Sequence, residues 1–370
     1  MIKEVISIKS KQHGTGLDIV IEWTKATAEY FNVPSLLDTS FYEHRAPVYK
    51  LRTYAGIKGV ITCTREFFGR MFPVIRKIMH KIHSMHYTNI RVPDFRQDIY
   101  SPVSVYYLMY PIEILSCGQG NCLPVFIDIW NDSVKFVAKS TKKFKLFYVT
   151  SRAVYDLIKA EDPGSNVRYM PLSVSDKYFS PNFEKYRQKT IDVIQFGRQD
   201  PLLHEYMLRY ANEHHVEYIY VGKGRYTGDK PYISTTRGNI GRIEGRENFI
   251  HILASAKVSL VHSPGMLKLN HDVIKHGICF PTPRFYESAV LGCSLIGRYP
   301  DNEEFRELNM SRYCPNITNY DQFVRELERA LAITPEELYA QNRDFILNSL
   351  TSKRAAQIQK DLEELVCQNS

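Results

Sequence analysis

Residues 191–222 have the sequence IDVIQFGRQDPLLHEYMLRYANEHHVEYIYVG, which contains a complete strand–helix–strand pattern. Apolar residues dominate Ile191–Phe196 and Val216–Val221 and predict two buried strands, and Leu202–His214 between them predicts a helix. Such a unit is the building block of parallel sheets. The pattern therefore predicts a mostly parallel sheet that is covered by helices on both faces.

The same alternation continues along the chain in both directions. Before residue 173 the pattern predicts strands at Glu4–Ser10, Gly59–Cys63, Leu123–Ile129, Phe144–Val149 and Asn166–Pro171, with helices at Leu17–Phe31 and Arg152–Ala160. After residue 222 it predicts helices at Phe249–Ala256 and Arg284–Leu291, strands at Val258–His262 and Ser294–Ile296, and a helical tail at Asp321–Ala332, Pro335–Asn348 and Ser352–Leu365. The polar stretch Ser173–Thr190, rich in Lys, Tyr and Ser, is interpreted as a linker.

These elements predict an α/β protein with two Rossmann-like domains that face a central cleft, followed by a C-terminal helical tail. A chain of 370 residues is too long for one ordinary core and fits two domains of roughly 150–200 residues. The predicted limits are 1–180 and 181–345, and 346–370 is expected to be a helix that can cross back to the first domain. A cleft between two such domains is the default ligand site.

Composition places the chain among soluble globular proteins. Its hydrophobic share is 44%, its charged share is 24%, and its net charge is +8. No apolar run approaches the length that spans a bilayer, and no signal peptide follows Met1, so we expect a cytoplasmic protein. The seven cysteines lack metal-ligand spacing, which favours reduced thiols and no structural zinc.

A glycine-containing loop, His13-Gly14-Thr15-Gly16, separates the first predicted strand from the first helix. Glycines let a backbone approach a ligand closely, and a helix start offers unpaired amides to an anion or a sugar hydroxyl. His13 and Asp18 flank this loop, and either is a candidate general base. The alternative is that Asp18 caps the helix and His13 lies on the surface.

The stretch 262–297, HSPGMLKLNHDVIKHGICFPTPRFYESAVLGCSLIG, carries a more specific pattern. Leu269-Asn270 is followed, after a spacer, by RFYESAVLG at 284–292. This resembles the C-terminal domain of GT-B glycosyltransferases, specifically the group-one-like, spore-coat CgeB-type families. IQFGR at 194–198 and YVGKG at 220–224 resemble strand ends of the same domain.

The resemblance implies a glycosyltransferase whose second domain binds a nucleotide-sugar and whose first domain binds a saccharide or polyprenyl-linked acceptor. Glu287 would accept the ribose hydroxyls, and basic side chains would stabilise the diphosphate without a metal. The chain contains no Asp-x-Asp, so no metal and no cofactor beside the donor is expected. The implied donor-binding residues are Gly197, Arg198, Lys223, Lys268, Asn270, Arg284 and Glu287, and the acceptor loop is Gly14, Thr15 and Gly16. If the enzyme inverts configuration, His13 or Asp18 is the base, and if it retains configuration, no base is required.

Residues 65–85 predict an amphipathic helix with a basic face. Its apolar side chains share one arc, and they are Phe67, Phe68, Met71, Phe72, Ile75, Ile78, Met79 and Ile82. The helix either packs on the sheet with a solvated basic face or lies on an anionic membrane, at its inner side, near a lipid-linked acceptor. Nucleic acid is not expected as a partner, because no nucleic-acid-binding motif accompanies the charge.

Two other functions are compatible with the same fold. One is a catalytically inactive GT-B-like subunit that binds a glycan or serves as a scaffold, and the other is a nucleotide-sugar epimerase. The epimerase would need several more catalytic carboxylates and histidines than the sequence lets us place. A periplasmic sugar-binding protein is disfavoured by the missing signal peptide.

Overall fold

The computed structural model describes residues 2–8, 19–38, 97–117, 121–130, 133–222, 231–264 and 278–368. These residues form two compact units. The first unit takes its residues from 1–13, 32–150 and 154–169, and the second takes them from 14–31, 151–153 and 170–370.

The first unit contains a six-stranded sheet in which every pair of neighbours is parallel. Its strands are β1 (Ile2–Ile8), β2 (Ser35–Asp38), β3 (Val103–Leu108), β4 (Cys122–Phe126), β5 (Phe147–Val149) and β6 (Val167–Tyr169). They are arranged in the order β2-β1-β3-β4-β5-β6. All side chains of β4 are buried, as is expected for a parallel strand covered on both faces.

The second unit contains a six-stranded sheet that mixes parallel and antiparallel pairs. Its strands are β7 (Ile191–Gln195), β8 (Tyr218–Val221), β9 (Tyr232–Ser234), β10 (Gly238–Gly241), β11 (Ala256–His262) and β12 (Ser294–Arg298). Their order is β10-β9-β8-β7-β11-β12, and β8, β7, β11 and β12 run parallel to one another. The pairs β8–β9 and β9–β10 are antiparallel.

The described α-helices of the protein alternate with the strands and continue beyond the last strand. Those before the second sheet are α1 (Ile19–Phe31), α2 (Val134–Ser140) and α3 (Arg152–Glu161). Those of the second sheet are α4 (Pro201–His214), α5 (Arg246–Ala254) and α6 (Pro283–Val290). They are followed by α7 (Glu303–Glu307), α8 (Met310–Tyr313), α9 (Tyr320–Ala332), α10 (Pro335–Asn348) and α11 (Thr351–Gln368). Helix α11 packs against α1, and both belong to the second unit.

Local chemistry sets the ends of α4, which packs on the second sheet. Asp200 caps its start by accepting hydrogen bonds from the backbone amides of Leu202 and Leu203, each at 3.0 Å. Pro201 occupies the first turn, where its missing N–H costs nothing. The helix ends at His215, which has a left-handed φ of 54°. Its buried side chains Leu203 and Met207 join a core with the strands and with α9.

The prediction of an α/β protein with two Rossmann-like domains and a C-terminal helical tail is confirmed. The domain limits predicted from the sequence stay a prediction, although the structure groups α1 with the second sheet. Some local predictions need correction. The stretch 173–190 is not a solvated linker, because it contains two short 3₁₀ helices that bury Tyr178, Phe183 and Tyr186. The sequence pattern also missed the strands β2, β3, β9 and β10 and the helices α2, α7 and α8. The strand predicted at Gly59–Cys63 lies outside the described residues.

Candidate functional site

The order of strands reverses within the second sheet at a point between β7 and β11. The chain leaves β7 through α4 to reach β8 on one side, and it later returns to β11 on the other side. In open α/β sheets, ligands bind at such switch points, beyond the carboxyl ends of the strands. The loops that begin at Phe196 and Ser263 follow these two strands and define the candidate site.

The loop after β7 presents a glycine and an arginine at this edge. Gly197 has a φ of +81°, a backbone conformation that residues with a Cβ atom rarely adopt. The neighbouring Arg198 side chain is exposed, and no carboxylate in the described part of the chain pairs with it. An exposed guanidinium without a protein counter-ion is suited to bind an anionic ligand.

A second group of charged side chains lies beside Arg198 at the ends of β11 and β12. Nη1 of Arg298 lies 2.9 Å from both carboxylate oxygens of Asp200. His262 is paired in register with Arg298 and is buried. Burial lowers the pKa of His262 to about 4, an effect that Asp200 opposes and that Arg198 and Arg298 reinforce. The imidazole is therefore neutral at neutral pH.

Glu287 on α6 is completely buried and contacts two arginines. Its Oε1 atom lies 2.6 Å from Nη1 of Arg246, and its Oε2 atom contacts Nη1 of Arg284 one turn earlier in the same helix. Burial, together with the charge of Arg246, lowers the pKa of the Arg284 guanidinium to about 9. Arg284 also lies over the ring of Phe249, with its Cζ atom 4.3 Å from the ring centroid.

Arg246 joins this carboxylate to a second one on α1. Its Nε and Nη2 atoms lie 2.9 Å and 2.8 Å from Oε2 of Glu22. Glu22 also accepts a hydrogen bond from the hydroxyl of Tyr178 and lies 2.7 Å from Nζ of Lys177. Burial alone would raise the pKa of the Glu22 carboxyl, but Arg246, Lys177 and Tyr178 together hold it below its usual value.

Aromatic rings connect the charged cluster to the end of β7. Phe196, which precedes Gly197, lies 4.4 Å from Phe249 and 5.1 Å from Tyr232, measured between ring centroids. Phe249 in turn lies under Arg284. Ring contacts therefore link Phe196, the residue at the start of the Arg198 loop, to the buried pair Arg284–Glu287.

Four of the predicted site residues are described by the structure, and they are Gly197, Arg198, Arg284 and Glu287. The others lie outside the described residues, and they are His13, Gly14, Thr15, Gly16, Asp18, Lys223, Lys268 and Asn270. The amphipathic stretch 65–85 also lies outside them. The roles suggested for all of these residues stay predictions.

Sequence reasoning missed Glu22, Arg246 and Tyr178. Glu22 had a recognisable signal, because it interrupts the otherwise apolar run Ile19–Trp23 at the start of α1. Arg246 had none, since it lies in a polar stretch that looks like any solvated helix start. Its importance comes from tertiary contacts alone.

Metal-ligand clusters and membrane-spanning helices are both absent from the described residues. Within them, no group of three or more His, Cys, Asp or Glu side chains is placed to hold a metal ion. None of the helices described is both long enough and apolar enough to span a bilayer. The expectation of a metal-independent site stays a prediction.

No protein-family model matches the sequence, and no curated protein matches it. Among solved structures, a putative UDP-N-acetylglucosamine 2-epimerase from Listeria monocytogenes aligns with a TM-score of 0.47 at 12% identity, covering 100% of this chain and 98% of that one. A structure of accessory secretory protein 1, 2 and 3 from Streptococcus pneumoniae aligns with a TM-score of 0.46 at 10% identity, covering 80% of this chain. The chain spans 58% of the length of that second structure. Similarity this low assigns neither a family nor an activity.

Proposed function

We propose that this protein is a GT-B-type glycosyltransferase that moves a sugar from a nucleotide-sugar donor to a saccharide or lipid-linked acceptor without a metal ion. The nucleotide part of the donor would bind at the carboxyl edge of the second sheet. The leaving nucleoside diphosphate gains negative charge as the glycosidic bond to it breaks, so fixed positive charge at its site lowers the barrier.

Arg198 is the single observation that carries this proposal. It is exposed, it follows a glycine with positive φ, and it lies at the switch point without a carboxylate partner among the described residues. A neighbouring arginine, Arg298, is already paired with Asp200, whereas Arg198 has no carboxylate partner in the part of the chain that the structure describes and is available to a phosphate. The small Gly197 allows the ligand to approach the backbone.

Glu287 and Arg284 would hold the ribose and the inner phosphate. A carboxylate can accept hydrogen bonds from both ribose hydroxyls. Glu287 lies on α6, whose Arg284 packs on the ring of Phe249, and Phe249 in turn contacts Phe196 at the start of the loop after β7. For the acceptor substrate, His13 or Asp18 would face the reacting hydroxyl group. Residues 65–85 would rest on a membrane if the acceptor is lipid-linked.

An inactive GT-B-like subunit is the second candidate, and one observation favours it. Both oxygens of Glu287 are in contact with arginines, so its carboxylate is occupied by protein groups. An inactive subunit would keep these pairs permanently and would have no affinity for nucleotides. The two candidates therefore differ in a measurable property.

The test is release of nucleoside diphosphate from a panel of UDP-, GDP-, ADP- and dTDP-sugars, measured by a coupled assay with wild-type protein, Arg198→Ala and the control Arg325→Ala. Arg325 is an exposed arginine on α9, far in sequence from the site. We expect turnover of at least one donor by the wild type and the control, and a loss of about tenfold or more for Arg198→Ala. No turnover and no binding of any donor would favour the inactive subunit, and equal turnover by all three proteins would refute the role of Arg198.

A further inference from the structure

Arg246 contacts two buried carboxylates, but it does not bind them equally well. Its Nε atom donates an aligned hydrogen bond of 2.9 Å to Glu22, and Nη2 lies 2.8 Å from the same oxygen. Only Nη1 reaches Glu287, at 2.6 Å, and neither Nη1 nor Nη2 makes an aligned hydrogen bond, whereas the bond from Nε to Glu22 is aligned. The guanidinium is therefore anchored on Glu22 and only covers Glu287.

The contact at Glu287 is incomplete from both sides. Both carboxylate oxygens of Glu287 and Nη1 of Arg246 are buried without an aligned hydrogen bond. Buried polar atoms in native proteins are normally hydrogen-bonded, and unsatisfied ones call for an explanation such as an absent ligand. Both oxygens of Glu287 nevertheless contact arginines, so a pair of ligand hydroxyl groups could donate to this carboxylate only by replacing the contact with Arg246.

Arg284 is less able to move away than Arg246. Glu287 is its carboxylate partner, and no other carboxylate in the described part of the chain pairs with it. Separation would leave a guanidinium with a buried Nη1 atom and no counter-ion, which is strongly unfavourable. Arg246 loses much less, because two of its nitrogens stay on Glu22 when Nη1 leaves Glu287.

We infer that Arg246 is a positioning residue that acts through Glu287: its Nη1 group covers the carboxylate in the free protein and withdraws onto Glu22 when a ribose diol binds. This inference rests on the proposed function, because it takes a ribonucleotide as the ligand of Glu287. Glu22 then binds the displaced guanidinium. Lys177 and Tyr178 keep Glu22 ionised and in position.

Removing the Arg246 guanidinium and removing the Glu22 charge should change ligand affinity in opposite directions. Removing the guanidinium uncovers Glu287, so Arg246→Met should bind ribonucleoside diphosphates about fivefold more tightly than the wild type. Removing the charge of Glu22 leaves Glu287 as the remaining carboxylate for Arg246, so Glu22→Gln should bind them about fivefold more weakly. Methionine is chosen because it retains apolar contact with Phe249, over which Arg246 lies.

The experiment is titration calorimetry of UDP, GDP and ADP, and of the matching 2′,3′-dideoxynucleoside diphosphates, with wild type, both variants and the exposed control Arg325→Met. Both shifts should be confined to the ribose forms, because the dideoxy forms lack the hydroxyls that compete with Arg246. Arg246→Lys retains the positive charge that Arg246→Met removes, so its affinity should lie closer to the wild-type value than that of Arg246→Met. A purely structural role would change both ligand series alike.

Several outcomes would overturn the inference. Weaker or unchanged binding of the ribose forms by Arg246→Met would do so while leaving the proposed function intact, provided that the wild type binds. If Arg246→Met does not fold, Glu22→Gln decides, and affinity equal to or above the wild type contradicts the inference. If no protein in the set binds any nucleoside diphosphate, the proposed function fails and the inference fails with it.

Discussion

Nη1 of Arg246 lies 2.6 Å from Oε1 of Glu287, a side chain with no solvent exposure. The contact joins the first turn of α5 to α6. At the far ends of the same two helices, Nζ of Lys189 donates hydrogen bonds to the carbonyl oxygens of Ala254 and Leu291, at 2.8 Å and 2.9 Å. The helices that carry the candidate site are thus linked to each other at two places.

Substitution of Glu287 should destabilise the protein strongly. In Glu287→Gln, Arg246 and Arg284 would face each other without the carboxylate that separates their charges, and breaking a buried ion pair costs about 3–5 kcal/mol. The free energy of unfolding, measured by urea denaturation, should fall by about this amount. Glu303→Gln removes an exposed carboxylate and should change it far less. Equal effects of the two substitutions would show that the buried pairs are unimportant.

Lys189 should be needed to keep the two helices in place. In Lys189→Met the last carbonyl groups of α5 and α6 lose a charged donor, and hydrogen bonds to charged groups contribute about 1.5–3 kcal/mol. We expect a loss of stability of at least about 1.5 kcal/mol in urea denaturation. Lys360→Met, an exposed site on α11, is the matched control. A variant as stable as its control would exclude this role.

His262 should make stability fall on mild acidification. Its pKa is about 4 in the folded protein and 6.5 in the unfolded chain, so between these values the unfolded state binds more protons. Protonation of His262 does not affect the free energy of unfolding above pH 6.5, but it lowers this free energy by roughly 3 kcal/mol as the pH approaches 4. His262→Gln should flatten the dependence of unfolding free energy on pH in that window. An unchanged slope would mean that His262 titrates normally.

Gly197 should matter for binding as well as for backbone geometry. Gly197 and Gly238 have φ values of +81° and +73°, and a Cβ atom at either position would meet no atom within 4 Å. Alanine should therefore cost each site a similar strain, about 1–2 kcal/mol. Only Gly197→Ala should also weaken nucleotide binding, because only Gly197 lies at the switch point. Equal nucleotide affinity of the two variants, in calorimetry, would count against the site.

Much of the fold was predictable because strong local signals agree with the tertiary structure. Helix α10 has the predicted bounds Pro335–Asn348, since Pro335 begins it and a capping box formed by Thr334 and Glu337 fixes its start. Strand β7 was predicted from its nearly continuous apolar run. Strands β9 and β10 were missed because they have three and four residues, and β10 has mostly exposed residues and no apolar pattern.

The candidate site was predictable only in part. Arg198 and Glu287 were identified through a family resemblance that rests on local sequence. Arg246 and Glu22 are 224 residues apart, and their contact depends on how α1 packs beside α5. No local pattern encodes such a pair. The buried aromatic residues of 173–190 were misjudged for a similar reason, because lysine and serine around Tyr178 and Phe183 concealed the residues that pack.

The most direct test of the central claim is the dissociation constant of nucleoside diphosphates, measured by calorimetry on wild type and Arg198→Ala, with Arg325→Ala as the control. The account predicts that the wild type and the control bind at least one of UDP, GDP, ADP or dTDP equally well, and that Arg198→Ala binds it about tenfold more weakly or worse. Absence of binding by the wild type, or equal binding by all three proteins, would contradict a donor site at the carboxyl edge of the second sheet.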